Sequence, residues 1–235
     1  MFKEYVAVKG IPSILWGKKS GRLFIAVHGN MSCKDDDIME ILAEEAVDKG
    51  YQVLSFDLPE HGARTGEGCS CMVWNCVSDL TDVMNYARTF SDDISVFACS
   101  MGAYFSLLAY NELPLKQCLF LSPVLDMERI ISNTMKWFNV SEERLKAEKE
   151  ITTPSGQILY WDYYSYVKSH PVVPWAKPTA ILCGSDDNIS EFDVISGFVK
   201  FNRCRLQVLE HGEHYFHTDE QLTFFRGWLG DNIMV

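Results

Sequence analysis

Residues 94–110 read ISVFACSMGAYFSLLAY. Ile94–Ala98 is a short apolar run rich in β-formers and bounded by turn signals, which predicts a buried strand. Residues 103–110 (AYFSLLAY) predict a helix. Ser100 falls between the two, on the tight strand-to-helix turn that lifts a hydroxyl clear of a sheet edge. That turn tolerates only small residues two before and two after the serine. Gly102 meets the need fully; Ala98 takes the place of the usual first glycine. Ser100 also sits near a helix N-terminus, where backbone N–H groups favour developing negative charge. On the residues alone, a helix N-cap serine reads the same way.

Outward from this turn, the pattern alternates. RLFIAV (22–27), QVLSF (52–56), CLFL (118–121), TAILC (179–183) and RLQVL (205–209) read as further buried strands. Stretches 2–8 and 13–16 are expected as a leading antiparallel pair. Between strands, Val73, Val77, Leu80, Met84 and Ala87 form one apolar stripe of a helix within 70–90, and Ile38, Ile41 and Leu42 do so within 36–48. The Asp35–Asp37 run fits a helix start favoured by the dipole. A last helix opens at Thr218 with Gln221 at capping-box spacing, and Leu222, Phe225 and Leu229 form its inner face. Strand, helix, strand repeated this way predicts an α/β fold: a mostly parallel central sheet flanked by helices.

Residues 126–175 break the alternation. They hold a charged helix (SEERLKAEKE), a break at Pro154–Gly156 and the aromatic run YWDYYSY over 160–166. An insertion this long between two strands is expected to cover the site as a lid; the other reading is an excursion with its own small core. The aromatic run either lines an apolar pocket or packs that small core.

Three further loops carry polar residues after predicted strands. His28-Gly29-Asn30 follows the first. Its backbone N–H at Asn30, with that of Met101, would give the two donors an oxyanion needs. His28 itself reads as packing the loop, with a place in the substrate pocket beside Trp137, Trp161 and Tyr164 as the sharper alternative. Gly184-Ser185-Asp186-Asp187-Asn188-Ile189 puts a carboxylate at the end of a late strand. Gly212-Glu213-His214-Tyr215-Phe216 puts an imidazole before the last helix. His211 and His217 flank it but fall at a strand end and a helix start.

Together these loops resemble the α/β-hydrolase superfamily, and within it the monoglyceride-lipase and serine-aminopeptidase branch. HGN, DLPEHGARTGEG (57–68), ACSMGA and GEHYF carry the resemblance, which covers roughly 20–125 and 176–230. In the second motif Glu60 stands at the family's first glycine and Arg64 at its serine. The resemblance implies an α/β-hydrolase fold with a helical lid insertion: hydrolase core at 1–125 and 176–235, lid at 126–175. It implies that Ser100 attacks a carbonyl, His214 takes its proton and Asp187 orients the imidazole. The register Gly184 plus three, Ile189 minus two selects Asp187; Asp186 and Asp126 are the alternatives. The expected chemistry is hydrolysis of a small or lipid-like carboxylic ester through an acyl-enzyme, with no cofactor and no metal. A thioester, an amide or peptide, or acyl transfer would use the same residues, and a non-catalytic binding protein on this scaffold is the reading from another class.

Composition narrows the partners. With 21 Lys and Arg against 32 Asp and Glu, the formal charge is −11, which disfavours nucleic acid and anionic lipid surfaces. No stretch approaches the length of a membrane span. MFKEYVAVKG lacks the pattern of a secretion signal, so cytoplasm is the expected compartment and the eight cysteines are read as thiols. His61 beside Cys69, Cys71 and Cys76 matches no common zinc spacing and is assigned to loop and helix packing.

Overall fold

A computed structural model describes all residues 1–235. Eight strands form the central sheet: β1 (Lys3–Val8), β2 (Ile11–Trp16), β3 (Arg22–Val27), β4 (Gln52–Phe56), β5 (Asp93–Cys99), β6 (Cys118–Leu121), β9 (Thr179–Gly184) and β10 (Arg205–Leu209). Their order is β1-β2-β4-β3-β5-β6-β9-β10. β1 pairs antiparallel with β2, and β2 with β4. Every other pairing is parallel.

Both faces of this sheet are covered, which is why its strands read as unbroken apolar runs rather than alternating ones. Leu23, Ile25 and Val27 join the core under helices α2 (Val73–Ala87), α3 (Met101–Ala109) and α7 (Phe192–Asn202). Phe24 and Ala26 face the other way, into the core under α1 (Asp37–Asp48) and α8 (Asp219–Asn232). Each such large side chain contributes roughly 1.5–3 kcal/mol by burial. Local signals set the helix ends as expected. Asp36 caps α1 by accepting from the Met39 N–H, and Thr218 with Gln221 closes a complete capping box on α8.

β10 departs from the expectation of a buried strand. It is the sheet's outer edge, paired to β9 alone, and most of its residues are exposed. Its apolar composition reflects pairing rather than burial on two faces.

The segment between β6 and β9 folds as α4 (Met127–Trp137), α5 (Glu142–Glu148), a hairpin of β7 (Glu150–Thr152) with β8 (Ile158–Tyr160), and α6 (Trp161–Ser169). The expected break at Pro154–Gly156 is the hairpin's turn, where Gly156 takes φ +87°. The insertion is therefore helical with a two-stranded hairpin inside it. Its buried side chains, among them Leu145, Ile151, Tyr164 and Val167, join the same core as α2 and α3 rather than forming a separate one. No helix is long and apolar enough to cross a membrane.

Candidate active site

The strand order reverses direction between β3 and β5, because β4 lies on one side of β3 and β5 on the other. In parallel sheets the carboxyl ends of strands at such a switch point form a crevice. Val27 pairs with Ala98, so the chain leaving β3 as His28-Gly29-Asn30 runs beside the chain leaving β5 as Ser100. A Cβ placed on Gly29 would lie 3.0 Å from that of Ser100.

Ser100 adopts φ +51°, ψ −123°, a sparsely populated region for a residue with a side chain. Such a conformation costs about 1–3 kcal/mol and persists only where the surroundings over-determine it. Three backbone bonds do so. The Ser100 N–H donates to the Leu121 carbonyl at 3.0 Å, and the Ser100 carbonyl accepts from Ala103 (3.1 Å) and Val124 (3.0 Å). Gly102 makes the turn sterically possible: a Cβ there would collide with the His28 carbonyl and lie 2.8 Å from that of Val27. Ala98, at the other position that must be small, is fully buried in the core. Cys99 packs into the opposite core, where burial pushes its thiol well above its usual range.

The Ser100 hydroxyl lies 2.8 Å from His214 Nε2. His214 Nδ1 lies 2.8 and 2.9 Å from the two carboxylate oxygens of Asp187. An ionised carboxylate only accepts, so Nδ1 carries the proton and donates; Nε2 then has a lone pair free to accept from the Ser100 hydroxyl. The Asp187 side chain is 2% exposed and that of His214 13%. Asp187 is held by the N–H groups of Ile189 (2.9 Å) and Ser190 (2.8 Å), which donate to Oδ1.

The loops after β9 and β10 are locked together. A Cβ on Gly184 would overlap the backbone of Gly212, so only glycine lets the two chains approach this closely. Ser185 N–H donates to Leu209 (2.9 Å), Asp186 N–H to Gly212 (2.9 Å), and the Ser185 hydroxyl accepts from His211 N–H (2.8 Å).

The alternatives separate on position. Asp126 caps α4 through the Arg129 N–H at 2.9 Å. Asp186 is exposed, 3.7 Å from the still more exposed His211. His217 Nδ1 pairs with its own turn, at the Tyr215 carbonyl (2.8 Å). Of the acids and histidines weighed, only Asp187 and His214 join the chain that ends on Ser100.

His28 is fully buried. Its Nε2 accepts from the Leu58 N–H at 3.0 Å, so Nδ1 carries the proton and donates to the Gly29 carbonyl at 2.7 Å. Burial pushes its pKa down to about 4. The ring ties the β3 loop to the β4 loop and leaves no polar atom for a ligand. Asn30 is exposed at the tip of its loop, and its side-chain oxygen is 3.1 Å from His61 Nε2. Met101 is the first residue of α3, so its N–H belongs to the first turn, where intrahelical partners are lacking.

The aromatic pocket candidates lie elsewhere. Trp137 is 72% exposed at the end of α4. Trp161 lies under the ammonium groups of Lys146 and Lys149. Tyr164 is buried in the insertion, its hydroxyl 3.3 Å from Glu142. No hydrogen bond or ring contact joins any of them to Ser100. A cavity of about 490 Å³ opens between α7, the start of α4 and the segment 170–174, with Tyr104 and Phe198 in its wall; Ser100, His214 and Asn30 do not line it.

Two features went unread in the sequence. Asp57, fully buried, accepts from the Lys34 N–H and ammonium (both 2.9 Å) and from Ala63 N–H (2.9 Å), bracing the β4 loop. Arg64, where the motif has serine, pairs with Asp79 and with Glu67. No cluster of three or more His, Cys, Asp or Glu side chains is arranged to hold a metal.

No family model and no curated protein matches the chain. Solved structures do. Est1E from Butyrivibrio proteoclasticus, described with ferulic acid bound, superposes with TM-score 0.79 at 19% identity, over 97% of this chain and 96% of that one. The chain has the α/β-hydrolase fold. Alpha/beta hydrolase domain-containing protein 10 from mouse shares it with TM-score 0.75 at 13% identity, over 98% of each chain. XC6422 from Xanthomonas campestris, described as an α/β serine hydrolase without lid, does so with TM-score 0.69 at 15% identity, over 97% of this chain and 92% of that one. In this α/β-hydrolase fold, Ser100, Asp187 and His214 occupy the carboxyl edge of the sheet after β5, β9 and β10.

Proposed function

We propose that the protein is a serine hydrolase that cleaves a carboxylic ester through an acyl-enzyme. The observation that carries this reading is the unbroken chain from Ser100 Oγ through His214 to the buried Asp187 carboxylate. In it the Ser100 oxygen attacks the ester carbonyl carbon as its proton passes to His214 Nε2. Asp187 keeps the imidazole in the Nδ1–H tautomer and stabilises the imidazolium that forms. The tetrahedral oxyanion is bound by the backbone N–H groups of Met101 and Asn30. His214 then protonates the leaving alkoxide, and water, deprotonated by the same nitrogen, releases the acid from Ser100.

Neither Ser100 nor His214 lines the cavity of about 490 Å³ beside α7, so its walls are not assigned to the acyl group. The insertion packs against α2 through the Trp74–Tyr166 ring contact, and in this reading it serves as the lid. Est1E, described with ferulic acid bound, fits this reading, as does the neighbour described as an α/β serine hydrolase.

The test is turnover of a p-nitrophenyl ester of short acyl length. Ser100→Ala should lower the rate by roughly 10⁶-fold without unfolding the protein. An unchanged rate in the folded variant would remove Ser100 as nucleophile. Rapid turnover of thioester or amide analogues, with the ester inert, would replace the substrate class and keep the residues.

A further inference from the structure

Helix α2 begins at Val73 behind the N-cap Met72, so Cys71 stands one residue before the cap and Cys76 at the fourth helical position. Side chains at those two positions fold over the first turn onto each other, a contact usually made by a pair of apolar residues. Here both are thiols, and their sulfurs lie 3.6 Å apart. A disulfide needs a separation of about 2.05 Å, reached by small side-chain rotations when the Cβ atoms already face each other. Cys76 is fully buried, and Cys71 is half-buried on the solvent side of it.

The surroundings favour attack by Cys71. Its backbone is fixed by the Cys71 N–H donating to the Glu60 carboxylate at 2.7 Å. Glu60 adopts φ +65° there. The neighbouring His61 has Nδ1 2.8 Å from the Pro59 carbonyl and Nε2 3.1 Å from the Asn30 side-chain oxygen. With Nδ1 donating to the Pro59 carbonyl, the contact at Nε2 is met by the imidazolium or by a rotated Asn30 amide. Against burial, hydrogen bonding and the charges of Cys71 and Glu60 raise the His61 pKa. The hydrogen bond from the Cys76 thiol, and then His61 by hydrogen bonding and charge, lower the Cys71 pKa against the opposing effects of burial and of Glu60. Cys76 is shifted the other way, by the same contact and by burial. The pair is thus divided into an attacking thiol and a resolving one.

We propose that Cys71 and Cys76 form a dithiol site that reacts with low-molecular-weight disulfides, of which oxidised glutathione is the probe, and closes a reversible disulfide across the first turn of α2. In the first step the Cys71 thiolate bonds to one glutathione sulfur and the other leaves as glutathione thiolate. In the second, Cys76 loses its proton to solvent and attacks the Cys71 sulfur, expelling the remaining glutathione thiolate. Two protein thiols are oxidised to one disulfide, and one glutathione disulfide is reduced to two thiols. The inference is independent of the hydrolase reading, since neither sulfur takes part in the chain at Ser100.

The experiment incubates the native protein with oxidised glutathione, alkylates the remaining thiols and maps peptides by mass. The expected product is a 71–76 link, lighter by two hydrogens, with the other cysteines alkylated and the link reversed by dithiothreitol. Cys76→Ala should instead stop at glutathione attached to Cys71. Three results on the native protein would each overturn the proposal: all eight cysteines still alkylated, glutathione retained on Cys71, or a link that uses Cys69 or another cysteine in place of this pair.

Discussion

Acidification from about pH 6.5 towards 4 should destabilise the folded protein through His28, which is buried in its neutral form. In the folded protein burial holds its pKa at about 4, against 6.5 for the free side chain. Between these values the unfolded chain takes up a proton that the folded protein refuses. The resulting stability is complete above about pH 6.5 and is lost as pH falls towards 4. The gap of about 2.5 units corresponds to about 3 kcal/mol at 1.36 kcal/mol per unit, a large share of a typical domain's margin. The structural cause is concrete: a protonated Nε2 cannot accept from the Leu58 N–H, so the bond joining the β3 and β4 loops breaks. Urea unfolding across that pH range, compared with His28→Gln, isolates the effect, because other titrating groups are common to both proteins. The variant should be less stable near neutrality and should lack about 3 kcal/mol of the native protein's pH dependence. Parallel pH profiles for the two proteins would refute the reasoning.

Asp187→Asn should lower ester turnover about 10⁴-fold at neutral pH while leaving the thermal midpoint nearly unchanged, since the amide oxygen still accepts both loop N–H bonds while its NH2 presents the wrong tautomer partner to His214. Gly184→Ala should separate the β9 and β10 loops, destabilising the fold by about 1–3 kcal/mol in urea and lowering kcat through displacement of His214. Trp137→Ser should leave KM for a short ester unaltered and stability within about 0.5 kcal/mol, because the ring stands in solvent away from Ser100.

What was legible in the sequence follows from what is local. Strand runs such as RLFIAV are apolar on both faces because both faces are covered, and the Thr218–Gln221 cap is a contact within one turn. The serine turn is legible because it needs small neighbours within two residues. The choice of Asp187 over Asp186 follows from a register that sets one carboxylate towards the next loop and the other outwards. β10 misleads because an edge strand shares the composition of an inner one, and only the pairing order exposes it. The insertion was legible as an interruption but not as a hairpin between helices, since short strands carry little periodicity. Its aromatic residues could line a pocket or fill a core with the same letters, and Tyr164 is in the core while Trp137 faces solvent. The Lys34–Asp57 brace joins residues far apart in sequence, with no spacing to announce it.

The central claim is that Ser100 is a nucleophile made reactive by His214. A fluorophosphonate probe tests it most directly, with the adduct located by peptide mass. One adduct per chain, on Ser100, is predicted, with labelling greatly slowed in folded His214→Ala. Folded protein that stays unlabelled, or that carries the adduct on another residue, would contradict it.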